Sequence, residues 1–474
     1  MRTDREPLAI KKTLRMTRAA GKRFGWELSL LDICVVGVMC FLLYYGASWQ
    51  IFKIHTDAAK YQCYAVAFWQ GLPALKHFSV QQCGFITDSG PAFLRAMRHL
   101  GFSEELIHFV ATQNAMEPFH TLPHEYPLLA LAPFSLGLVA SSHSWYQVAF
   151  GVCMALVAAL IYLLLVRYRS RRAAIVCALY LVAGGWGTAA GRFDLVPSAF
   201  TLIAVICATT KRWNWAFAAL ALGVLLKLYP VVLLPPFLIA QQMESRERWY
   251  CWRRLAPLGV FGAVCAGVTI LSLLLSVQST LAPFTYFKNR PFQIESSWAS
   301  LFWLLRAPGH PLHLEQTYGS LNVLSPLSAY VALWSKILPI VALLYVYWLQ
   351  WRRKINLAAT TLLTLLVVIF TGKVFSPQYL LWVAPLVAYV GEDSPWWLLP
   401  WTTISLLTTW IYPYIYMGLD PRDVPNVPWF YPVVAVRNTL MLGFIIVLLF
   451  YYWRAHPRPG FSHSAQKYRA LPFC

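Results

Sequence analysis

Apolar residues gather into blocks of about 15 to 25 along most of the 474-residue chain, separated by shorter polar or charged stretches. A run of that length lets a helix cross the hydrocarbon core of a bilayer. Blocks at 28–50, 145–166, 173–190, 195–210, 213–226, 229–243, 255–277, 327–350, 355–371, 376–391, 395–411 and 429–453 predict twelve membrane-spanning helices. The stretch 127–142 is apolar enough to be another, but counting it would invert every later loop and put RYRSRR (Arg167–Arg172) outside, against the positive-inside tendency. It therefore reads as an interfacial or re-entrant helix on the outer side. Around a single transmembrane domain at 28–453, the pattern leaves cytosolic tails at 1–27 and 454–474 and outer loops at 51–126, 278–326 and 412–428. Within the first loop, 91–110 mixes apolar and charged positions in the manner of amphipathic helices on a membrane surface. The expected fold class is an all-α polytopic membrane protein of about twelve transmembrane helices, with a large first outer loop carrying interfacial helices.

Composition agrees with that solvent. Hydrophobic residues make up 58% of the chain and charged residues 12%, against roughly 25% charged in soluble domains. A net charge of +20 raises the question of nucleic acid, and its distribution answers it. Of 39 Lys and Arg residues, 25 fall in the two tails, in RYRSRR, at Lys211–Arg212, between Arg246 and Arg254, and at Arg352–Lys354. All of these lie on one predicted face. The charge is thus a topology signal with an added attraction to anionic lipids, and nucleic acid is not an expected partner. Both termini are expected in the cytosol, and the basic first 27 residues read as a retained tail with no cleavable signal peptide. The ten cysteines show no CxxC or metal-like spacing. Cys63 and Cys83 share the first outer loop, where an oxidising compartment would let them pair.

Candidate chemistry concentrates on the outer face. Asp57 and His55 stand at the mouth of the first span, where a carboxylate is tuned upward by desolvation or downward by cations; a solvated or helix-capping aspartate has the same signature. The segment EPFHTLPHEYPLLALAPF places Glu117, His120, His124, Glu125 and Tyr126 within ten residues, ligand types suited to a sugar, a phosphate or a metal. Its spacing matches no standard metal motif, so a divalent metal stays an open alternative. Arg192 and Asp194, then Lys227, Lys288, Arg290, Glu295 and Lys373, fall at span ends or in outer loops. Singly each is able to snorkel; together the cations suit a lipid-linked phosphate. Lys336 and Arg437 fall inside predicted spans, where an ionisable group is a functional candidate by default.

Taken in order, HTDAAKY after the first span, HEYPLLAL before the second, GRFDLVPSAF, LKLYPVVLLPPFL, NRPFQIESSWAS and KVFSPQYLLWVAPL resemble a GT-C superfamily glycosyltransferase. The set is most similar to the polyprenyl-phosphate-mannose-dependent mannosyltransferases of glycosyltransferase family 87. The resemblance implies a GT-C-like fold and inverting transfer of a sugar, mannose in the first place, from a polyprenyl-phosphate donor. The acceptor would be a hydroxyl of a lipid, glycan or protein on the non-cytosolic face of the cell membrane. Asp57 takes the family's first-loop aspartate position and would be the general base. Arg192, Lys227, Arg290 and Lys373 become candidates for the donor phosphate, and His55, Glu117, His124, Glu125, Tyr126, Asp194, Glu295, His310 and His313 for the acceptor or sugar. The alternative is a multi-pass lipid or sugar transporter or flippase, which would instead place its polar residues on broken helices at mid-membrane.

Overall fold

The computed structural model describes residues 28–86, 90–99, 101–112, 121–140, 142–245, 251–306 and 312–454. Residues 1–27 and 455–474, Glu117, His120 and His310 lie outside these residues. Each of the twelve apolar blocks carries a helix. Five are long and apolar enough to cross a membrane: Leu30–Gln50, Tyr146–Tyr168, Trp252–Leu275, Ser328–Trp351 and Phe430–Arg454. Helices Leu195–Thr209, Trp213–Leu226, Leu357–Thr371 and Tyr379–Gly391 are apolar but only 13 to 15 residues long. At 1.5 Å per residue they span about 20 to 22 Å, less than a hydrocarbon core of about 30 Å.

Local chemistry sets the helix starts. Ser29 caps the first helix, and the Asp32 carboxylate returns to the Ser29 amide at 2.9 Å. The same buried carboxylate accepts from the Tyr162 hydroxyl at 3.0 Å and the Arg171 Nε at 2.9 Å, so one acidic side chain ties three helices at one end of the bundle. At that end Arg169 pairs with Glu392 at 2.8 Å and Arg172 with Asp393 at 3.2 Å, bringing RYRSRR against the turn that precedes helix Pro395–Thr409. The first helix turns an exposed apolar face outward through Leu30, Ile33 and Phe41, and buries Met39 and Leu43. Apolar on both faces, it suits a boundary between protein core and lipid.

At the other end, the first long loop folds onto the bundle. Helix Asp57–Gln70 is capped by the Thr56 hydroxyl, stops at Gly71 with φ 82°, and buries nearly its whole length. The Cys63–Cys83 disulfide fastens its middle to the following turn. The 127–142 stretch breaks into Leu128–Ala130, Leu131–Ser135 and Leu136–Val139. Its Phe134 stacks on Tyr61 at 4.2 Å, and the Phe134 carbonyl accepts from the Tyr146 hydroxyl at 2.6 Å. The segment 91–110, expected to form amphipathic surface helices, holds two, Gly90–His99 and Glu104–Thr112, bent at Gly101 with φ 79° and packed through Met97, Ile107 and Val110.

The all-α expectation needs one correction. The second long loop holds a three-stranded antiparallel sheet in which Ser320–Leu324 lies between Phe292–Gln293 and His313–Thr317. Tyr318 and Gly319, both at positive φ (54° and 66°), make the two-residue turn, a geometry that matches the twist of a hairpin. The Gln293 amide donates to the Lys373 carbonyl at 2.9 Å, docking the edge strand on the loop after helix Leu357–Thr371.

Candidate active site

Asp57 is the first residue of its helix, and its carboxylate lies 2.8 Å from the guanidinium of Arg192, with the two side chains 24% and 16% exposed. Arg192 belongs to the segment between helices Arg171–Gly185 and Leu195–Thr209. Gln50, at the end of the first span, donates to the Gly187 carbonyl and holds that segment in place. The Arg192 guanidinium also sits 5.8 Å from the Tyr412 ring centroid. Its Nε is buried without a hydrogen-bond partner among the described residues, as is that of Arg290.

Two residues on, Asp194 is fully buried and accepts from the Lys227 ammonium at 2.6 Å and from the Trp382 indole. Lys227 leaves its helix at the C-terminal end and lies 5.2 to 6.0 Å from the ring centroids of Phe193, Trp382, Tyr126 and Tyr379. An ammonium has three protons, and this pairing commits one of them to Asp194. Arg290 donates to the Ser320 hydroxyl at 3.0 Å and lies 5.5 Å from the Tyr286 ring, so it is oriented by the sheet. Lys373 donates to the Arg290 carbonyl at 3.2 Å, and burial lowers its pKa.

Burial pushes the Asp57 carboxyl up. The opposing charges of Arg192, then Lys60, Lys227 and Arg290, outweigh it and hold Asp57 below the ordinary carboxylate range. Glu125 feels three of these cations, Lys60, Arg290 and Lys227, but desolvation, with the charge of Asp57, dominates and raises its pKa. Two carboxylates beside one cation cluster are thus driven in opposite directions. Asp57, Glu125 and Asp194 face four cations, Lys60, Arg192, Lys227 and Arg290, so the cluster has a positive excess and attracts an anion.

Glu295 forms a second centre nearby. It is 2% exposed; Oε1 accepts from the Tyr416 hydroxyl at 3.1 Å, and Oε2 has no hydrogen-bond partner among the described residues. Burial pushes its pKa up to about 7, against the lowering effect of Arg437. Arg437 and Asn438 donate to the Glu295 carbonyl at 2.7 and 3.3 Å. Arg437, fully buried in helix Phe430–Arg454, thus points inward and fixes a loop backbone. Tyr412 and Tyr416, with centroids 5.3 Å apart, link this centre to Arg192.

The structure therefore gathers Asp57, Glu125, Tyr126, Arg192, Asp194, Lys227 and Arg290, with Lys373 and Glu295 adjoining. His124 is turned aside: it bonds the Ile86 backbone, and burial lowers its pKa. His55 is exposed, as is His313 on the hairpin. Glu117 and His310 lie outside the described residues. Sequence reasoning missed Lys60, Tyr286, Tyr412 and Tyr416. Lys60 was findable, since it is three residues after Asp57 on one helix and so shares its face. Among the described residues no three His, Cys, Asp or Glu side chains form a metal-ligand set. The clustered carboxylates face cations, a donor set that does not fit a divalent metal, and no step below uses one.

The family model for glycosyltransferase family 87 matches residues 125–377, more than half of the chain. The chain belongs to glycosyltransferase family 87. The GT-C superfamily resemblance expected from the ordered motifs is met in this assignment, and the protein is a membrane glycosyltransferase. The matched segment begins at Glu125 and takes in Arg192, Asp194, Lys227, Arg290, Glu295 and Lys373, while Asp57 and Lys60 precede it. Among solved structures, the chain is similar to the crystal structure of ArnT from Cupriavidus metallidurans in the apo state, at 13% identity and a TM-score of 0.39, over 89% of this chain and 76% of that one. Comparison with curated proteins gives no match.

Proposed function

We propose that this family 87 glycosyltransferase moves a sugar, mannose in the first place, from a polyprenyl-phosphate donor to a hydroxyl of a lipid, glycan or protein acceptor, with inversion. The observation that carries the reading is the Asp57 carboxylate set among Arg192, Lys60, Lys227 and Arg290. A lipid-linked phosphate enters from the bilayer and meets the cations, with Arg192 and Arg290 presenting guanidinium forks to its oxygens. In this position Arg192 shares its charge between Asp57 and the phosphate, so Asp57 becomes more basic when the donor is in place. Asp57 takes the acceptor O–H proton, the acceptor oxygen bonds to the anomeric carbon, and the carbon–phosphate oxygen bond breaks with its electron pair going to the phosphate. Attack opposite the leaving phosphate inverts the centre in one displacement. Tyr126 and Glu125 border the acceptor side, and Glu295 with Tyr416 offers hydrogen bonds to sugar hydroxyls.

We place the protein in the cell membrane with about twelve crossings, both termini in the cytosol and the site on the non-cytosolic face. The basic-residue distribution supports this orientation. The test is incubation of purified protein with radiolabelled polyprenyl-phosphate mannose, glucose, galactose and arabinose together with a membrane-lipid extract. Label is expected in an acceptor from a polyprenyl-phosphate sugar, with mannose the best. Transfer from a nucleotide sugar and from none of these donors overturns the reading.

A further inference from the structure

Helix Trp213–Leu226 delivers Lys227 to the site at its C-terminal end, and helix Leu195–Thr209 starts beside Asp194. Their other ends, joined at Thr210–Arg212, therefore lie one helix length away, about 21 Å for 14 residues. There a cavity of about 710 Å³ opens between them and the facing ends of helices Leu234–Glu244 and Trp252–Leu275. Among the described residues, Lys211, Arg212, Arg253 and Arg254 line it, against one acidic side chain, Glu244. Arg254 is held in place by the Gln242 carbonyl at 3.0 Å, and Gln241 donates to the Arg254 carbonyl at 2.7 Å.

Trp215 and Trp252, 70% and 71% exposed, stand at the same level, and Trp213 lines the cavity. Exposed tryptophans beside long apolar helices mark the headgroup layer of a bilayer. We infer that this cavity binds the phosphate headgroup of an anionic phospholipid from the leaflet opposite the transfer site. Volume and charge suit a phosphate; the tryptophan level identifies it as one attached to lipid. Basic pockets between membrane helices recognise such headgroups in this way.

The test is native mass spectrometry of the full-length protein released from micelles containing equal phosphatidylglycerol and phosphatidylcholine, with inorganic pyrophosphate in a separate arm. The wild type should retain phosphatidylglycerol about tenfold over phosphatidylcholine. An Arg212→Gln/Arg253→Gln double variant should fall to near parity, and Lys211→Gln should give an intermediate value should the double variant fold poorly. Lys336→Gln, an exposed cation toward the Lys373 end of its helix, should keep the full preference. A wild type without preference overturns the inference, as does a folded double variant that keeps it. Pyrophosphate retained as tightly as phosphatidylglycerol would make the cavity a soluble-anion site and overturn the lipid assignment.

Discussion

The Asp57 carboxylate and the Arg192 guanidinium, 135 positions apart in the chain, lie 2.8 Å from each other. This pair joins the first long loop to the inter-helix segment before Leu195–Thr209, and in the proposed mechanism it joins the proton acceptor to a phosphate-binding group. Removing either member should therefore produce a different kinetic defect. Asp57→Asn keeps the shape and loses the base, so kcat should fall by about 10² to 10⁴ while donor affinity is kept. Single-turnover rates and donor binding on one preparation check this, and wild-type turnover would place the base elsewhere, Glu125 being next.

Asp194 and Lys227 form a buried pair with Trp382 as a further donor. Asp194→Asn leaves an ammonium without its counter-charge and should cost about 3 to 5 kcal/mol of stability. The double variant Asp194→Asn/Lys227→Met should recover part of the loss, because it leaves no unpaired charge. Thermal melts in detergent measure both, and additive losses would show that the two residues act independently.

Glu295 should make stability depend on pH. Its folded pKa is about 7 against an ordinary 4.5, so between those values the folded state holds a proton that the unfolded state has released. Stability then falls as pH rises through that window and levels off above about 7. Glu295→Gln should flatten this slope and melt above wild type at pH about 8, with little difference near pH 4.5. A variant that melts with the wild-type pH slope would remove Glu295 from this account.

Orientation has its own check. Single cysteines introduced at Arg169 and at Phe102 should react with a membrane-impermeant maleimide from opposite sides of sealed vesicles. Labelling of both from one side would undo the proposed topology, including the face assigned to the site.

The helices were legible because apolar runs register the bilayer directly, while at 127–142, where hydropathy left the reading open, the structure breaks the stretch into short helical turns. Within the site, residues next to a span end, such as Asp57, Arg192 and Lys227, could be named as candidates. Their pairing could not, because Arg192 meets Asp57 and Lys227 meets Asp194 only through packing of separate helices. Tyr412 and Tyr416 stood in a Pro-rich loop with no periodic signal, and the interfacial aromatic belt masked them among many similar residues. The sheet escaped notice because HLEQT and SLNVL are short and partly polar, although the glycine of the Tyr318–Gly319 turn was visible between them.

The central claim is that Asp57, held ionised by Arg192, is the base. The pH dependence of kcat/KM with a fixed polyprenyl-phosphate donor tests it most directly, since a general base loses activity as pH falls through its pKa in the free enzyme. Asp57 lies below the ordinary carboxylate range and Glu125 above it. The wild-type profile should therefore stay flat down through the ordinary range and fall only at more acidic pH, and Arg192→Gln should move that limb upward by removing the nearest cation. An acid limb above the ordinary carboxylate range, unmoved by Arg192→Gln and abolished by Glu125→Gln, would contradict the account and make Glu125 the base.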